Sequence, residues 1–213
     1  MFMDVEEAIM KRRSKRKYMD CPVEWEKMGR IFEAGRAAPS SGNLQNWKFI
    51  LSTDKQQRHQ IAEACLQQWW METAPVLLTV VAEPEKAGQH YGVRGERLYS
   101  IQNCAIAAAF MMLTAESLGL STCFVAAFEE DRLKAILGCP EFARPQCVIT
   151  IGYSDERVPE LQKYKLENLV YFGKYANRIK DINATAGYTA DKVLAAIGKG
   201  KDFIKGLAKP PQK

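Results

Sequence analysis

The chain has 213 residues, of which 47% are hydrophobic and 26% are charged, and its formal net charge is +5. These values are typical of one compact globular domain, with or without an extension, and the mild charge favours a local anion site over a polyanion-binding surface. The N-terminus lacks the apolar core of a signal peptide, and we expect no apolar run long enough to span a bilayer, so the sequence predicts a cytoplasmic protein without a membrane segment. Six cysteines without a C-x-x-C pair and two histidines without ligand spacing predict buried thiols in a reducing compartment and no metal site.

Helix and strand patterns alternate along the chain. Apolar residues at helical spacing predict helices over 4–13, 24–38, 54–68, 97–118, 129–137 and 189–207. Apolar, β-branched runs predict strands over 47–51, 75–82, 122–126 and 146–152, the second of them buried on both faces. The apolar stripe of the 24–38 helix consists of Trp25, Met28, Phe32 and Gly35. The long 97–118 helix is apolar on most sides and carries Ile101, Ala105, Ala108, Met112, Ala115 and Leu118. Runs of helices around a few core strands indicate an α+β sandwich.

Six lysine and arginine residues surround Ser14 in residues 11–17, which we call the basic segment. Three interpretations compete: a solvated charged face, a nucleic-acid-binding patch, or a phosphate pocket in which arginine forks and a serine hydroxyl bind the oxygens. Nucleic-acid binding would require aromatic residues along the same face, and only Tyr18 is adjacent. The basic segment alone does not decide between these interpretations.

Residues 38–47, which we call the polar loop, are rich in serine, asparagine and glutamine between a helix and a strand. Their hydroxyls and amides are uncharged donors and acceptors, which suit the hydroxyls of a sugar-alcohol chain or the edge of a heterocycle. A simple polar turn explains the same composition. The sequence has no G-x-G-x-x-G after a strand and no G-x-x-x-x-G-K-[ST], so a nucleotide cofactor would need another kind of site.

Six segments, in matching order and spacing over about residues 4–175, resemble the nitroreductase family. The segments are RRSKR at 12–16, PSSGNLQNW at 39–47, QN at 102–103 with an alanine-rich helix to LGL at 118–120, CFVAAF at 123–128, RP at 144–145 with IGY at 151–153, and KYKLENLV at 163–170. Their family counterparts are R-R-S-x-R, P-S-S-x-N-x-Q-P-W, Q-N-x-x-x-A…L-G-L, C-W-I-G-G-F, R-P…L-G-Y and R-K-P-L-E-E-I-V.

This resemblance implies a three-layer α+β sandwich with a mostly antiparallel central sheet flanked by helices, an intertwined homodimer, and FMN bound in the dimer interface. It implies hydride transfer from NADH or NADPH through flavin N5 to a small electron-poor acceptor, such as a nitroaromatic or a quinone, by a ping-pong mechanism. It also implies an FMN-binding domain over 1–175 and an extension over 176–213, which would pack on the partner subunit or cover the active site.

The same resemblance assigns cofactor contacts by position. Arg12 and Ser14 would bind the FMN phosphate, with Arg13 beside them, and Arg16 would lie at the flavin N1–C2 edge, where a cation stabilises developing negative charge. The polar loop would reach the flavin of the partner subunit, and one of two late lysines would add charge at the phosphate. The assigned residues of the polar loop are Pro39, Ser40, Ser41, Asn43 and Gln45, and the two late lysines are Lys163 and Lys165.

Several positions depart from the family pattern. Ala126 and Ala127, one of which would direct its backbone N–H at flavin N5, replace Gly-Gly or Glu-Gly. Their methyl groups would either narrow the space over the ring or require a less strained backbone there. Asn46 replaces a proline, which we expect to loosen the polar loop slightly. Trp69 and Trp70 would be core aromatics or would line the substrate pocket.

Two alternatives stay open for the function. The same fold and FMN would also suit another reaction, namely dehalogenation, ring oxidation or modification of the flavin itself. The basic segment could instead belong to a non-catalytic nucleic-acid-binding protein, whereas the resemblance implies a small-molecule substrate and no nucleic-acid partner. Tyr91, Arg94 and Arg97 are expected in a solvated loop before the long helix, with contacts to substrate or nicotinamide phosphate as the alternative.

Overall fold

The fold is that of a computed structural model, which describes residues 3–165, 168–171 and 173–177. The chain divides into two compact units, Met1–Glu160 and Leu161–Lys213. The helices of the first unit are α1 (Val5–Lys11), α2 (Trp25–Arg36), α3 (Lys55–Ala64), α4 (Pro84–Arg94), α5 (Ser100–Ser117) and α6 (Glu130–Leu137). Its strands are β1 (Trp47–Ser52), β2 (Val76–Ala82), β3 (Ser121–Val125) and β4 (Arg144–Gly152). The predicted helix over 189–207 lies outside the described residues, and the predicted boundary after residue 175 stays a prediction.

The four strands form one antiparallel sheet in the order β1-β2-β4-β3. Every residue of β2 is buried, as its continuous apolar, β-branched sequence predicts. Leu78 of β2 pairs with Leu51 of β1 on one side and with Ile149 of β4 on the other. The two central strands are therefore the apolar runs 76–82 and 147–151.

Alternate strand residues point into two separate cores, because successive side chains of a strand lie on opposite faces. Leu78 and Ile149 belong to a core that they share with α2 and α5, the α2/α5 core. Leu77 and Val148 belong to a second core with α3 and α6, the α3/α6 core. Helices thus cover both faces of an antiparallel sheet, and the predicted three-layer α+β sandwich is confirmed.

Helix α3 shows how local signals set the ends of an element. Asp54 caps its start by accepting a hydrogen bond of 2.8 Å from the Gln57 amide. The helix ends at Ala64, earlier than the predicted 54–68 helix, because Leu66 has a φ of 58°, in the left-handed region.

The stretch 84–99 is helical, which corrects the expectation of a solvated loop. Helix α4 has a kink at Gly92, whose backbone angles (φ 57°, ψ −149°) lie in a region that is essentially restricted to glycine. A π-helical turn over Gly95–Tyr99 then leads into α5. A Cβ atom on Gly95 would lie 2.1 Å from the Ala87 carbonyl oxygen, so glycine is what lets the two helical arms pack this closely.

Helix α5 is central, and its buried face matches the predicted residues only in part: Ala108 and Ala115 are buried as predicted. Cys104 and Ala108 are fully buried in the α2/α5 core, whereas Ile101 is 45% exposed and Ala105 is exposed as well. Trp25 of α2, also predicted to face inward, is 69% exposed. Because α5 is apolar on most sides, helical spacing alone could not choose the face that packs on the sheet.

By length and composition alone, the helical stretch Pro84–Ser117 is apolar enough to cross a membrane, contrary to the expectation from the sequence. The α5 part of this stretch contributes buried residues to the α2/α5 core. Packing accounts for part of the apolar character, since 39% of the most apolar window of this stretch is buried.

Candidate cofactor site

The basic segment runs along the edge strand β3. The Lys15 amide donates to the Thr122 carbonyl oxygen at 3.1 Å, and Ser14 forms a parallel bridge with Thr122. Tyr18 anchors the end of the segment, because its buried hydroxyl donates to the Lys15 carbonyl oxygen at 2.8 Å and lies 2.5 Å from Thr150 Oγ1 of β4. The side chains of the basic segment therefore project from a backbone that the sheet holds in place.

Three cations of the basic segment are occupied by structural partners. Lys11 forms an ion pair of 2.7 Å with a glutamate of α1. Arg13 donates to the Met10 carbonyl oxygen at 2.6 Å, at the end of α1, and Lys15 donates to the Glu156 carbonyl oxygen. Because Arg13 satisfies the last carbonyls of α1, the structure does not group it with the other predicted phosphate ligands.

Arg12, Ser14 and Arg16 converge on the buried thiol of Cys123 in β3. Burial raises the pKa of Cys123, and the charges of Arg16 and Arg12 and the hydroxyl of Ser14 oppose that rise. Within the part of the chain that the structure describes, neither arginine has a carboxylate within ion-pair distance. Arg16 also stacks over Trp70, with 5.7 Å between the guanidinium carbon and the ring centre. Two available guanidinium groups beside one hydroxyl are well suited to a phosphate.

The end of β3 lies close to this cluster. Ala126 and Ala127 follow its last residue, and both are exposed. The Gln68 side-chain amide donates to the Ala127 carbonyl oxygen at 3.4 Å, which ties the strand end to the turn that carries the two tryptophans. Trp70 lies beside Arg16 and packs partly on the α3/α6 core, whereas Trp69 is 46% exposed and stacks on a histidine of α3.

Two buried asparagines hold the polar loop. Asn103 of α5 accepts from the Ser41 amide at 3.0 Å, and it donates to the Ser41 hydroxyl at 3.0 Å and to Asn46 Oδ1 at 2.7 Å. Asn46 is fully buried, and its carbonyl oxygen accepts from the Glu83 amide at 2.8 Å. The expectation that Asn46 loosens the loop is therefore wrong, because its side chain adds a hydrogen bond that a proline could not make.

The polar loop presents donors that its internal contacts leave available. The Ser40 hydroxyl oxygen accepts from the Gln45 amide at 3.1 Å, and the Ser41 hydroxyl oxygen accepts from an amide of α5. Both serines can therefore donate their hydroxyl hydrogens to another molecule. Asn43 and Gln45 are exposed and joined by a side-chain hydrogen bond of 3.1 Å, and Pro39 is exposed beside them.

The polar loop and the cluster of Arg12, Ser14 and Arg16 lie near opposite ends of α5. Asn103, near the start of the helix, binds the loop. Burial raises the pKa of Glu116, near the end of the helix, and Arg12 is foremost among the cations that oppose this rise. Positions 103 and 116 of one α-helix are about 20 Å apart. A ligand that contacted both groups of one chain would have to span that distance.

The remaining sequence predictions concern the late lysines, the cysteines and a metal site. Lys163 and Lys165 are exposed residues of the second unit, and their contact with a phosphate stays a prediction. The six cysteines are unpaired, and four of them are buried. Among the described residues, no group of histidine, cysteine, aspartate and glutamate is arranged to hold a metal ion.

Three residues that position the site were not predicted: Tyr18, Gln68 and Glu156. Tyr18 directly follows the basic segment, so an aromatic residue at that position was an available signal. The Glu156 carboxylate accepts from the Arg16 amide at 2.6 Å and is 140 positions away in the sequence, where no local pattern indicates such a contact.

Known proteins resemble this chain in sequence and in fold. A model described as the nitroreductase family matches residues 9–72 and 68–153. The chain is 31% identical to an NADH dehydrogenase of Thermus thermophilus over 79% of this chain and 95% of that protein. It is 28% identical to an FMN reductase (NAD(P)H) of Bacillus subtilis over 82% of this chain and 76% of that protein. A solved FMN-dependent nitroreductase from Clostridium difficile shares the fold with a TM-score of 0.65 and 30% identity, over 79% of this chain and 98% of that one.

Proposed function

Since the chain belongs to the nitroreductase family, we propose that it is an FMN-dependent oxidoreductase that transfers hydride from NADH or NADPH to a small electron-poor acceptor. A nitroaromatic or a quinone is the acceptor class, and the cycle is ping-pong. The names of the relatives, which include an FMN reductase and an FMN-dependent nitroreductase, support the cofactor. The observation that carries the proposal is that Arg12, Ser14 and Arg16 all lie near Cys123 of β3, and that the two guanidinium groups form no ion pair among the described residues.

Each group of the site has a distinct task in this proposal. Arg12 and Ser14 bind the FMN phosphate by charge-assisted hydrogen bonds. Arg16, which Trp70 and the Glu156 carboxylate hold in place, sets a positive charge at the N1–C2 edge of the ring. When bound, FMN accepts and donates the hydride, so the chain needs no side-chain acid or base for that transfer. The backbone N–H of Ala127 or Ala126 orients the ring at N5.

The proposal includes a homodimer, because the polar loop and the phosphate ligands of one chain are separated by most of α5. A second copy would bring its polar loop to the phosphate ligands of the first, so Ser40 and Ser41 would donate to the cofactor of the partner. The exposed side of α5 supports this arrangement: Ile101 is 45% exposed, and Ala105 and Ala109, which follow it at intervals of about one turn, are exposed and small enough for another helix to approach closely.

The contacts of the basic segment argue against a nucleic-acid-binding function. Lys11, Arg13 and Lys15 have structural partners, so fewer charges are free to follow a polyanion than the sequence suggests. A small-molecule substrate fits better. A cytoplasmic location is part of the proposal, because six unpaired cysteines suit a reducing compartment.

Substitution of Arg12 tests the phosphate site. We expect Arg12→Ala to remove a charge-assisted contact of about 1.5–3 kcal/mol, which weakens FMN binding about tenfold or more. Riboflavin, which lacks the phosphate, should bind both proteins equally. Lys17→Ala is the matched control, because Lys17 is an exposed cation of the same segment with no assigned role. Equal FMN affinity of Arg12→Ala and the unchanged protein would contradict the proposed phosphate site.

Rapid mixing with NADH or NADPH tests the reaction. We expect either nicotinamide to bleach the visible flavin absorbance in the absence of oxygen, and a quinone or nitroaromatic to restore it. Parallel double-reciprocal plots would follow from the ping-pong cycle. Absence of bleaching by both nicotinamides would rule out the proposed reaction and favour the other chemistries of this fold.

A further inference from the structure

The kink in α4 and the π-helical turn form an exposed corner, residues 90–99, which we call the α4 corner. Its backbone is specialised: Gly92 has angles that are essentially restricted to glycine, and Gly95 packs its backbone against the Ala87 carbonyl. π-Helical turns are rare, and those that occur inside α-helices often lie at functional sites. The proposed FMN contacts use none of the side chains of this corner.

The α4 corner carries two packed tyrosines and a guanidinium held by one of them. Tyr91 and Tyr99 pack edge to face, with ring centres 5.3 Å apart and an interplanar angle of 79°. The Arg94 guanidinium carbon lies 5.6 Å from the centre of the Tyr99 ring, and Arg94 Nε donates to the Tyr99 hydroxyl at 3.1 Å. No carboxylate of the described residues lies within ion-pair distance of Arg94, so its other N–H groups are available to an anion.

The α4 corner adjoins the polar loop. A Cβ atom on Gly42 would lie 2.5 Å from the Tyr91 hydroxyl, which therefore sits directly on the loop. The start of α4 is joined to the other end of the loop, where the Glu83 amide donates to the Asn46 carbonyl oxygen at 2.8 Å. The loop and the corner are thus fixed to each other at two points, one through contact with Tyr91 and one through the backbone.

We propose that the α4 corner binds the adenosine-phosphate half of the nicotinamide dinucleotide, with Arg94 on a phosphate and Tyr91 against the adenine ring. A fixed guanidinium suits bidentate recognition of a phosphate, and an exposed tyrosine face suits stacking of a base. Arg97, exposed on the same turn, adds positive charge. This inference rests on the proposed function, because it places the polar loop at the flavin and the nicotinamide ring near it.

Calorimetric titration of the FMN-loaded protein tests this assignment. The probes are NAD⁺, which contains the adenosine-phosphate half, and nicotinamide mononucleotide, which lacks it. We expect Arg94→Gln to weaken NAD⁺ binding about tenfold or more and to leave mononucleotide binding within about twofold. Tyr91→Ala should weaken NAD⁺ binding about fivefold or more by removing the stacking face. Arg132→Gln is the matched control, because it removes an exposed arginine of α6, on the opposite face of the sheet.

The outcomes separate this inference from the proposed function. FMN-loaded Arg94→Gln that binds NAD⁺ as tightly as the unchanged protein would overturn the assignment of the α4 corner alone. The assignment would also be overturned if the unchanged protein bound NAD⁺ no more tightly than the mononucleotide. A purified protein with no affinity for FMN would overturn the proposed function, and the assignment of the corner with it.

Discussion

Removal of one buried hydroxyl, in Tyr18→Phe, tests whether the sheet positions the phosphate-binding residues. The Tyr18 side chain is 7% exposed, and burial raises its pKa, so the hydroxyl is a neutral donor throughout the range in which the protein is handled. It donates to the Lys15 carbonyl oxygen at 2.8 Å and lies 2.5 Å from Thr150 Oγ1. Lys15 stands between Ser14 and Arg16 in the sequence, so this hydrogen bond fixes the backbone from which both ligands project.

The magnitude follows from what the substitution leaves behind. Phenylalanine keeps the ring packing but leaves the Lys15 carbonyl and the Thr150 hydroxyl each without one partner, and such a loss costs about 1–3 kcal/mol. We expect the free energy of unfolding to fall by that amount. We also expect FMN affinity to fall about three- to tenfold, because a displaced Lys15 backbone misaligns the two ligands beside it.

The comparison of FMN with riboflavin separates positioning from general loss of stability. Fluorescence quenching gives both dissociation constants. FMN should lose more affinity than riboflavin in Tyr18→Phe, since riboflavin has no phosphate for Ser14 and depends only on the contact of Arg16 with the ring. Tyr153→Phe is the matched control: it removes a hydroxyl that donates to Glu24 at 2.7 Å, away from the phosphate ligands. An unchanged ratio of FMN to riboflavin affinity in Tyr18→Phe would refute a positioning role.

Three further predictions concern the loop, the thiols and one ion pair. Asn46→Ala should lower the free energy of unfolding, measured with urea, by about 1–3 kcal/mol, because it leaves a buried amide of α5 without its partner; an unchanged midpoint would contradict this. Cys21 should react fastest with Ellman's reagent, followed by Cys139, whose pKa partial burial raises, and the four buried thiols should react slowest; six equally fast thiols in the folded protein would refute this. The hydrogen bonds from Arg144 lower the pKa of Glu130 in the folded state, so this pair stabilises the fold above the ordinary carboxyl pKa of 4.5 and loses its effect as the pH falls below that value. Because the pair is largely exposed, Glu130→Gln should cost less than about 1 kcal/mol near neutral pH and nothing in acid, and a cost independent of pH would contradict the assignment.

The sheet was predictable because its strands are defined by composition alone. The run 75–82 is apolar and β-branched without a break, so it had only one plausible place, in the centre of a covered sheet. Helix α5 was predicted as an element, but its orientation was not. Its sequence offers apolar residues on most sides, and the choice of Cys104 over Ile101 as a core residue depends on which face meets β2 and β4.

The α4 corner could not be predicted, because its helical structure depends on contacts between its two arms. The stretch contains Gly88, Gly92 and Gly95, and glycines in such numbers normally indicate a loop. In the fold, Gly95 makes the close contact possible, because a Cβ there would collide with the Ala87 carbonyl. Gly92 is needed for its backbone angles, which are essentially restricted to glycine. The cost of glycine in a helix is offset by tertiary packing that the local sequence does not describe.

In the candidate site, the sequence motif identifies the possible phosphate ligands, whereas the fold determines which of them are free to bind. The sequence places six cations around Ser14, and any of them is able to bind a phosphate. Which of them are free depends on distant partners: the Glu156 carbonyl accepts from Lys15, and Glu160 lies 3.6 Å from Arg13. Both glutamates follow β4, about 140 positions after the basic segment, so their pairing requires β4 and β3 to be adjacent first. The availability of Arg12 and Arg16 is therefore a property of the sheet order, and a change that uncouples the segment after β4 should alter anion binding without touching any phosphate ligand.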